Sequence, residues 1–209
     1  MTLPLQEPFS YRVLLSGGMD SAVALANSVY MHGHQVDAVF FDYGQRAIRQ
    51  EREAARFLAR HYRVKLHERP LSLMGESSIT GKGSLEDDSV IVPGRNLAML
   101  EAAAAIFPYP GEVVIAVCED DGLLFEDCRP EFYRNLNETL RSNGAHWRVS
   151  TPFVYFAKSL IFQWAKRFGG TAILQHTWSC YEGESDAPCG ICLSCEEQVE
   201  ARLGTYGGY

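Results

Sequence analysis

Two groups of residues in this sequence have the types and spacing to do chemistry. The first is Ser16-Gly17-Gly18-Met19-Asp20-Ser21, which follows a short apolar run and precedes a stretch of helix formers. Adjacent glycines let backbone N–H groups converge on a phosphate with no Cβ in the way, and a helix N-terminus adds its positive dipole end. Ser16 and Ser21 offer hydroxyl donors. Asp20 would repel a bare phosphate, so its sensible role is to hold a magnesium ion that bridges pyrophosphate oxygens. A Ser-Gly-Gly alone would be a tight turn with a cap; the whole string between a strand and a helix reads as a phosphate loop. It lacks the Gly-Lys-Ser/Thr of a Walker loop.

The second group is Cys180, Cys189, Cys192 and Cys195, spaced C-x8-C-x2-C-x2-C. Two overlapping C-x-x-C turns and one distant cysteine can close a tetrahedral site of four thiolates with no open position, which suits one structural zinc per chain. Disulfides or an iron–sulfur cluster are the competing uses of four cysteines. Cys118, at the end of an apolar run, reads as a core residue. Two further strings stand at strand or helix boundaries. Phe41-Asp42-Tyr43-Gly44-Gln45-Arg46 ends a buried strand, where ligands sit in open parallel sheets. In Val92-Pro93-Gly94-Arg95-Asn96-Leu97, Arg95 can neutralise phosphate, and Asn96 can cap a helix or read a base. Alone, each would be a turn with a cap.

The elements that must position these residues follow from periodicity. Near-continuous apolar runs at Arg12 to Leu15, Val36 to Phe41, Val64 to His67 and Val113 to Val117 read as buried strands, with a last short strand at Ala172 to Leu174. Helices are expected over Ala22 to Met31, Gln45 to Tyr62, Leu97 to Ile106, Pro130 to Ser142, and Lys158 to Arg167, the last ended by Gly169-Gly170, with a short one running to Leu203. Buried strands alternating with helices predict an α/β fold: a parallel sheet with helices on both faces. Residues 72–89, rich in Gly, Ser and acids, read as a long surface loop of the kind that serves as a lid. The expected organisation is an ATP-binding α/β domain over 1–175 and a zinc-binding segment over 176–209.

The bulk numbers exclude some classes. The chain has 209 residues, 46% hydrophobic and 22% charged, with a net charge of -7, which argues against a grip on long nucleic acids. No run reaches the roughly 20 apolar residues of a membrane helix. The first residues have neither the basic flank nor the apolar segment of a signal peptide, so the expected compartment is the cytoplasm, where thiols stay reduced.

The phosphate loop resembles that of the ATP-pyrophosphatase superfamily, whose members cleave ATP to AMP and pyrophosphate. Its combination, in order, with Tyr43-Gly44-Gln45-Arg46, Val92 to Leu97, Asp127-Cys128-Arg129-Pro130-Glu131-Phe132 and the cysteine tail is similar to the QueC-type 7-cyano-7-deazaguanine synthase family, from about Val13 to Ala201. The resemblance implies a Rossmann-like adenine nucleotide alpha hydrolase fold, zinc, magnesium with ATP, and a homodimer. The implied substrates are ATP, 7-carboxy-7-deazaguanine and ammonia. ATP would be held by Ser16 to Ser21, Asp42, Tyr43, Gln45, Arg46, Gly94, Arg95 and Asn96. Asp20, Lys158 and Arg129 would serve the reacting groups, with Asp127 aimed at the N–H donors of the purine. Three places depart from the family pattern: Gly122 to Glu126 replaces a Ser-Gly-Tyr-Pro segment, Ala47 replaces a histidine, and Gln50 takes a glutamate position, with Glu51 next to it. These departures fall on the substrate side. They leave open a product that stops at the amide, or coupling to an amine other than ammonia, as in relatives from phage or anti-phage gene clusters. A tRNA thiolase and a non-catalytic nucleotide-binding module are the other readings.

Overall fold

Successive residues of a strand point to opposite faces, so a strand buried on both sides must be apolar at every position. The computed structural model, which describes residues 9–72, 77, 79–80, 90–107 and 109–203 (of 168–172 and 201–203 the backbone only), realises that rule. The elements run β1 (Ser10–Leu14), α1 (Met19–His32), a 3-10 turn, β2 (Val36–Asp42), α2 (Ile48–Tyr62), β3 (Lys65–Pro70), α3 (Arg95–Ala105), β4 (Gly111–Val114), α4 (Glu119–Leu124), a second 3-10 turn, α5 (Pro130–Ser142), β5 (Trp147–Ser150), α6 (Lys158–Gln175) and α7 (Leu193–Leu203). The strands form one parallel sheet in the order β3-β2-β1-β4-β5. On one face Val13, Leu15, Val36, Ala38 and Phe40 pack with Ala22, Leu25, Ala55, Leu58, Phe153 and Ile161 of the helical side. On the other, Leu14, Val39, Phe41, Val113 and Ile115 pack with Leu100, Ala103 and Tyr133. This is the expected α/β architecture of Rossmann-like type.

Strand order reverses between β1 and β4. Chain crossovers leave in opposite directions on either side of that boundary, which opens a crevice at the carboxyl ends of the two strands. The phosphate loop leaves β1 there, and Ile115 to Cys118 leave β4 beside it.

Three expectations change. Ala172 to Leu174 is not a strand, and Gly169-Gly170 does not end the preceding helix: α6 continues to Gln175. Ile161, Ala165 and Ile173 lie on one buried stripe of α6, and that packing outweighs the roughly 1 kcal/mol per residue that a helical glycine costs. The fifth strand is instead Trp147–Ser150, too short and too polar to stand out, with only Val149 buried. Between β4 and α5 lies an unexpected helix, α4, whose cap position is Cys118 rather than a standard capping residue. Asp121 supplies the signal from inside: its Oδ2 accepts the Cys118 N–H at 3.0 Å. The expected lid over 72–89 falls almost wholly outside the described residues. Among the described residues no helix is long and apolar enough to cross a membrane.

Phe153 is fully buried, with Trp164 edge-on at 5.9 Å. Phe153→Ala should cost about 3–5 kcal/mol of stability by urea unfolding, and a cost below about 1 kcal/mol would show that this cluster is not the core.

Candidate active site

The phosphate loop owes its shape to crowding. Gly17 has φ +91°, and a Cβ there would lie 2.4 Å from the carbonyl oxygen of Glu51. Only glycine lets the loop lie against the first turn of α2. Gly18 then caps α1 in extended conformation. Ser16 Oγ accepts the Gly18 N–H at 3.3 Å and lies 3.1 Å from Ser21 Oγ, which donates to Gly18 O at 2.9 Å. Ser16, Ser21 and the first turn of α1 thus line one cavity, lined also by Tyr43, Gln45, Glu51, Arg95, Asn96, Lys158 and the tail residues Trp178, Ser179 and Tyr181.

Asp20 and Lys158 meet at the floor. Lys158 opens α6, is 4% exposed, and its Nζ lies 3.7 Å from Asp20 Oδ2, 3.1 Å from Asp121 Oδ1 and 2.7 Å from Glu197 Oε2. Its backbone N–H is held by Asp120 Oδ2 at 2.5 Å. Burial alone would lower the ammonium's pKa, but the carboxylates outweigh it and hold it well above the usual range. Burial pushes the Asp20 carboxyl up to about 6 against the pull of Lys158, with Asp121 and Glu197 pushing the same way. Asp20 Oδ1 is buried and has no hydrogen-bond partner among the described residues. A carboxylate oxygen left so, beside a phosphate loop, fits a magnesium ligand: it is a hard oxygen donor with spare capacity.

The other end of the cavity is built by β2 and α3. Gln45 is saturated: its Oε1 accepts Tyr43 N–H at 2.9 Å, and its Nε2 donates to Phe41 O and to Glu51 Oε2, both at 3.0 Å. Arg95 stands 5.8 Å from the Tyr43 ring centroid, and burial lifts the Tyr43 hydroxyl to about 12. Asn96 accepts from Arg95 at 3.4 Å and lies 3.7 Å from Cys128 Sγ.

The sequence-based site residues therefore divide. Ser16, Gly18, Met19, Asp20, Ser21, Tyr43, Gln45, Arg95, Asn96 and Lys158 line one cavity, while Gly17 and Gly94 set backbone turns behind it. Asp42 is tied to Arg52 at 2.6 Å, and Arg46 donates to Thr80 O at 3.3 Å, so both shape the walls. Asp127 and Arg129 are outside the lining. Arg129 is exposed and donates to Gly122 O at 3.1 Å, and Asp127 Oδ1 lies 3.8 Å from Cys128 Sγ. Three carboxyl groups in the lining were not picked out from sequence: Glu51, Asp121 and Glu197. The signal for Glu197 was its place on the turn after Cys195; Asp121 belonged to an acidic run that reads as solvated.

The four cysteine sulfurs lie within 4.8 Å of one another, with Cys189–Cys195 and Cys180–Cys192 each at 4.0 Å. Thiolates about 2.3 Å from one zinc stand a little under 4 Å apart, so the set fits a single ion. Cys180 Sγ accepts the N–H groups of Glu182 and Cys189, both at 3.3 Å. Burial pushes the Cys189 thiol up, yet the N–H groups of Ile191 and Cys192 and the neighbouring thiols of Cys180 and Cys192 outweigh it and bring it to about 7, while burial raises the Cys180 and Cys195 thiols. Cys118, as expected, is a core residue, and burial raises its thiol far above the usual range.

Glu51 offers a clean test of this electrostatic picture. Burial pushes its carboxyl up to about 7, partly offset by Gln45 and Arg95. A raised carboxyl favours folding in its protonated form, so its stabilisation is full below the ordinary carboxylate range and is lost as pH climbs to about 7. Glu51→Gln should therefore raise the melting temperature at about pH 8, by on the order of 1–3 kcal/mol equivalent, and change it little at about pH 5. An equal shift at both values would rule out the buried carboxyl as its source.

With this geometry in place, comparison with known proteins is specific. The family model described as queuosine biosynthesis protein QueC matches residues 11–204. A 7-cyano-7-deazaguanine synthase from a Nitratiruptor species is 32% identical over 207 residues, covering 90% of this chain and 91% of the relative. One from Marinomonas sp. (strain MWYL1) is 34% identical over 203 residues, with 90% and 91% covered. Among solved structures, the U34-tRNA thiolase NcsA from Methanococcus maripaludis with its [4Fe-4S] cluster superposes with a TM-score of 0.53 at 14% identity, over 95% of this chain and 66% of that one, a likeness of fold. A match across nearly the whole sequence, with the phosphate loop and cysteine cluster both in place, means that the chain belongs to the QueC family.

Proposed function

We propose that this chain is an ATP-dependent carbon–nitrogen ligase that converts 7-carboxy-7-deazaguanine and ammonia to 7-cyano-7-deazaguanine. The observation that carries the reading is the pairing of half-buried Asp20 with buried Lys158 under the phosphate loop, in one cavity with Arg95 and Asn96. The relatives' shared name, 7-cyano-7-deazaguanine synthase, supports the substrate. A carboxylate is a poor electrophile because its leaving group would be oxide. Transfer of AMP to it, with loss of pyrophosphate, replaces that leaving group. The Ser16 and Ser21 hydroxyls and the N–H groups at the start of α1 bind the departing pyrophosphate. Lys158, kept charged by its carboxylates, offsets the charge that builds on the transferring phosphoryl group. Ammonia then displaces AMP to give an amide, and a second adenylation, on the amide oxygen, lets AMP leave again to form the nitrile. Magnesium, held by Asp20, would neutralise pyrophosphate charge. Asp127 and Arg129 act at the rim of this cavity in our reading, and the working unit is a cytoplasmic homodimer, with the ATP-binding domain over 1–175 and the metal-binding segment from 176 on.

One feature favours a second reading, in which the acid is adenylated but the product is an amide or an amine conjugate. The segment replaced relative to the family pattern forms the second half of α4 and its exit: Phe125 lines the cavity, and Leu123 and Leu124 are 71% and 52% exposed. In this reading that wall meets the acceptor, while the phosphate loop is unchanged. AMP formation should depend on 7-carboxy-7-deazaguanine, and mass spectrometry of the product separates nitrile from amide or conjugate. AMP formed equally well without the acid sinks both readings. Asp20→Ala should lower pyrophosphate release by about 100-fold or more with the circular dichroism spectrum unchanged.

For the cysteines we propose one structural zinc. A single ion suits sulfurs this close, whereas a cubane cluster holds its thiolates farther apart. Cys192→Ser should drop zinc from one per chain by metal analysis and lower the yield of folded protein. Iron in the wild-type protein, or full zinc loading of the variant, contradicts the assignment.

A further inference from the structure

The chemistry above uses Asp20 and Lys158, and gives the nearest carboxylate to the lysine no part beyond sharing in its charge balance. Glu197 Oε2 lies 2.7 Å from Lys158 Nζ, closer than Asp121 at 3.1 Å or Asp20 at 3.7 Å, and Glu197 is itself buried. It sits two residues beyond Cys195, in the first turns of α7, so the cysteine cluster fixes where its side chain can reach. The other flank of the cluster is tied down in the same region. Trp178 N–H donates to Gly17 O at 2.9 Å. Ser179 Oγ accepts the Met19 N–H at 3.4 Å and the Gln198 Nε2 at 3.3 Å. Both ends of the metal-binding segment thus terminate on the phosphate loop and its lysine, and Ser179–Gln198 joins the two ends.

Three carboxylates compete for one ammonium, and the competition is decided by distance. With Glu197 as the nearest partner, Asp20 stays 3.7 Å away and keeps one oxygen without a partner among the described residues. Without the charge on Glu197, Asp121 and Asp20 are left to share the ammonium, which can then move the short distance needed to close on Asp20 as an ion pair. We propose that Glu197 is a positioning residue: it draws Lys158 off Asp20, so that Asp20 remains open to the magnesium of the nucleotide, and the cysteine cluster sets this distance through α7. The inference rests on the ATP-using reading given above and assigns the metal-binding segment a part in nucleotide binding beyond its contribution to folding.

The test uses the whole protein and three measurements. Zinc per chain is determined for wild type, Glu197→Gln and Glu197→Asp. Binding of α,β-methylene-ATP, which cannot be cleaved at the reacting bond, is followed by tryptophan fluorescence as a function of magnesium concentration. Pyrophosphate release is followed over the same magnesium range. Zinc content should be the same in all three. Glu197→Gln should need at least about fivefold more magnesium for half-maximal analogue binding and for half-maximal turnover, with kcat at saturating magnesium changed by less than about threefold. Glu197→Asp, which keeps the charge, should recover most of the difference. A wild-type magnesium requirement in Glu197→Gln overturns the inference and leaves the ligase reading standing. Loss of zinc in Glu197→Gln together with an equal defect in Glu197→Asp also overturns it, because the residue would then only support the cluster. Wild-type protein that binds no analogue at any magnesium concentration overturns the ligase reading and this inference with it.

Discussion

Position 17 has no room for a side chain. A Cβ there would stand 2.4 Å from the carbonyl oxygen of Glu51, so the phosphate loop and the first turn of α2 touch backbone to backbone. Much of the site follows from this contact. It brings the end of β2, with Tyr43 and Gln45, next to the loop that leaves β1, and it leaves the Glu51 carboxyl buried at the boundary of the two. It also fixes the direction of α1, whose N-terminus carries Asp20 to Lys158. The arrangement resembles a vice more than a scaffold with a loop laid over it. One jaw is the loop, the other is α2, and the cavity lies where the strand order reverses.

What was legible in the sequence was local. Ser16 to Ser21 declares itself because glycine freedom, hydroxyls and a carboxylate occur together in six consecutive residues. The four cysteines declare themselves because few other patterns bring so many thiols into so short a stretch. The buried strands were readable from their unbroken apolar runs. What could not be read is whatever acquires meaning only by packing. Gly169-Gly170 looks like a stop until Ile173 is seen to share the stripe of Ile161 and Ala165. Asp121 and Glu197 are ordinary acidic residues on paper, and they matter because α4 and α7, far apart in sequence, converge on one ammonium. Arg129, which the resemblance sets among the reacting groups, spends its Nε on Gly122 O at the surface. That turn is shaped by the same segment in which the chain departs from its family.

The departures also explain a rearrangement of neighbours. Gln50, at a position where the resemblance calls for a glutamate, donates to Gly183 O and Ser185 O at 2.8 and 2.9 Å and so fastens the tail to α2. Glu51, the next residue, turns into the cavity. A carboxyl is thus present on this turn of α2, one position along the helix, and an amide has taken over the work of holding the tail.

The contact between the tail and the loop has a consequence for biosynthesis. The cavity is closed on one side by residues near Asp20 and on the other by residues as late as Glu197. Because synthesis runs from the N-terminus, the residues of the phosphate loop leave the ribosome well before those of the wall that completes the pocket. During that interval the nascent chain has a nucleotide cradle open to water on one side and a lysine without its nearest counterion. The pocket is complete only when the cysteines and the helix behind them have closed on the loop, so that the earliest and the latest parts of the fold mature together.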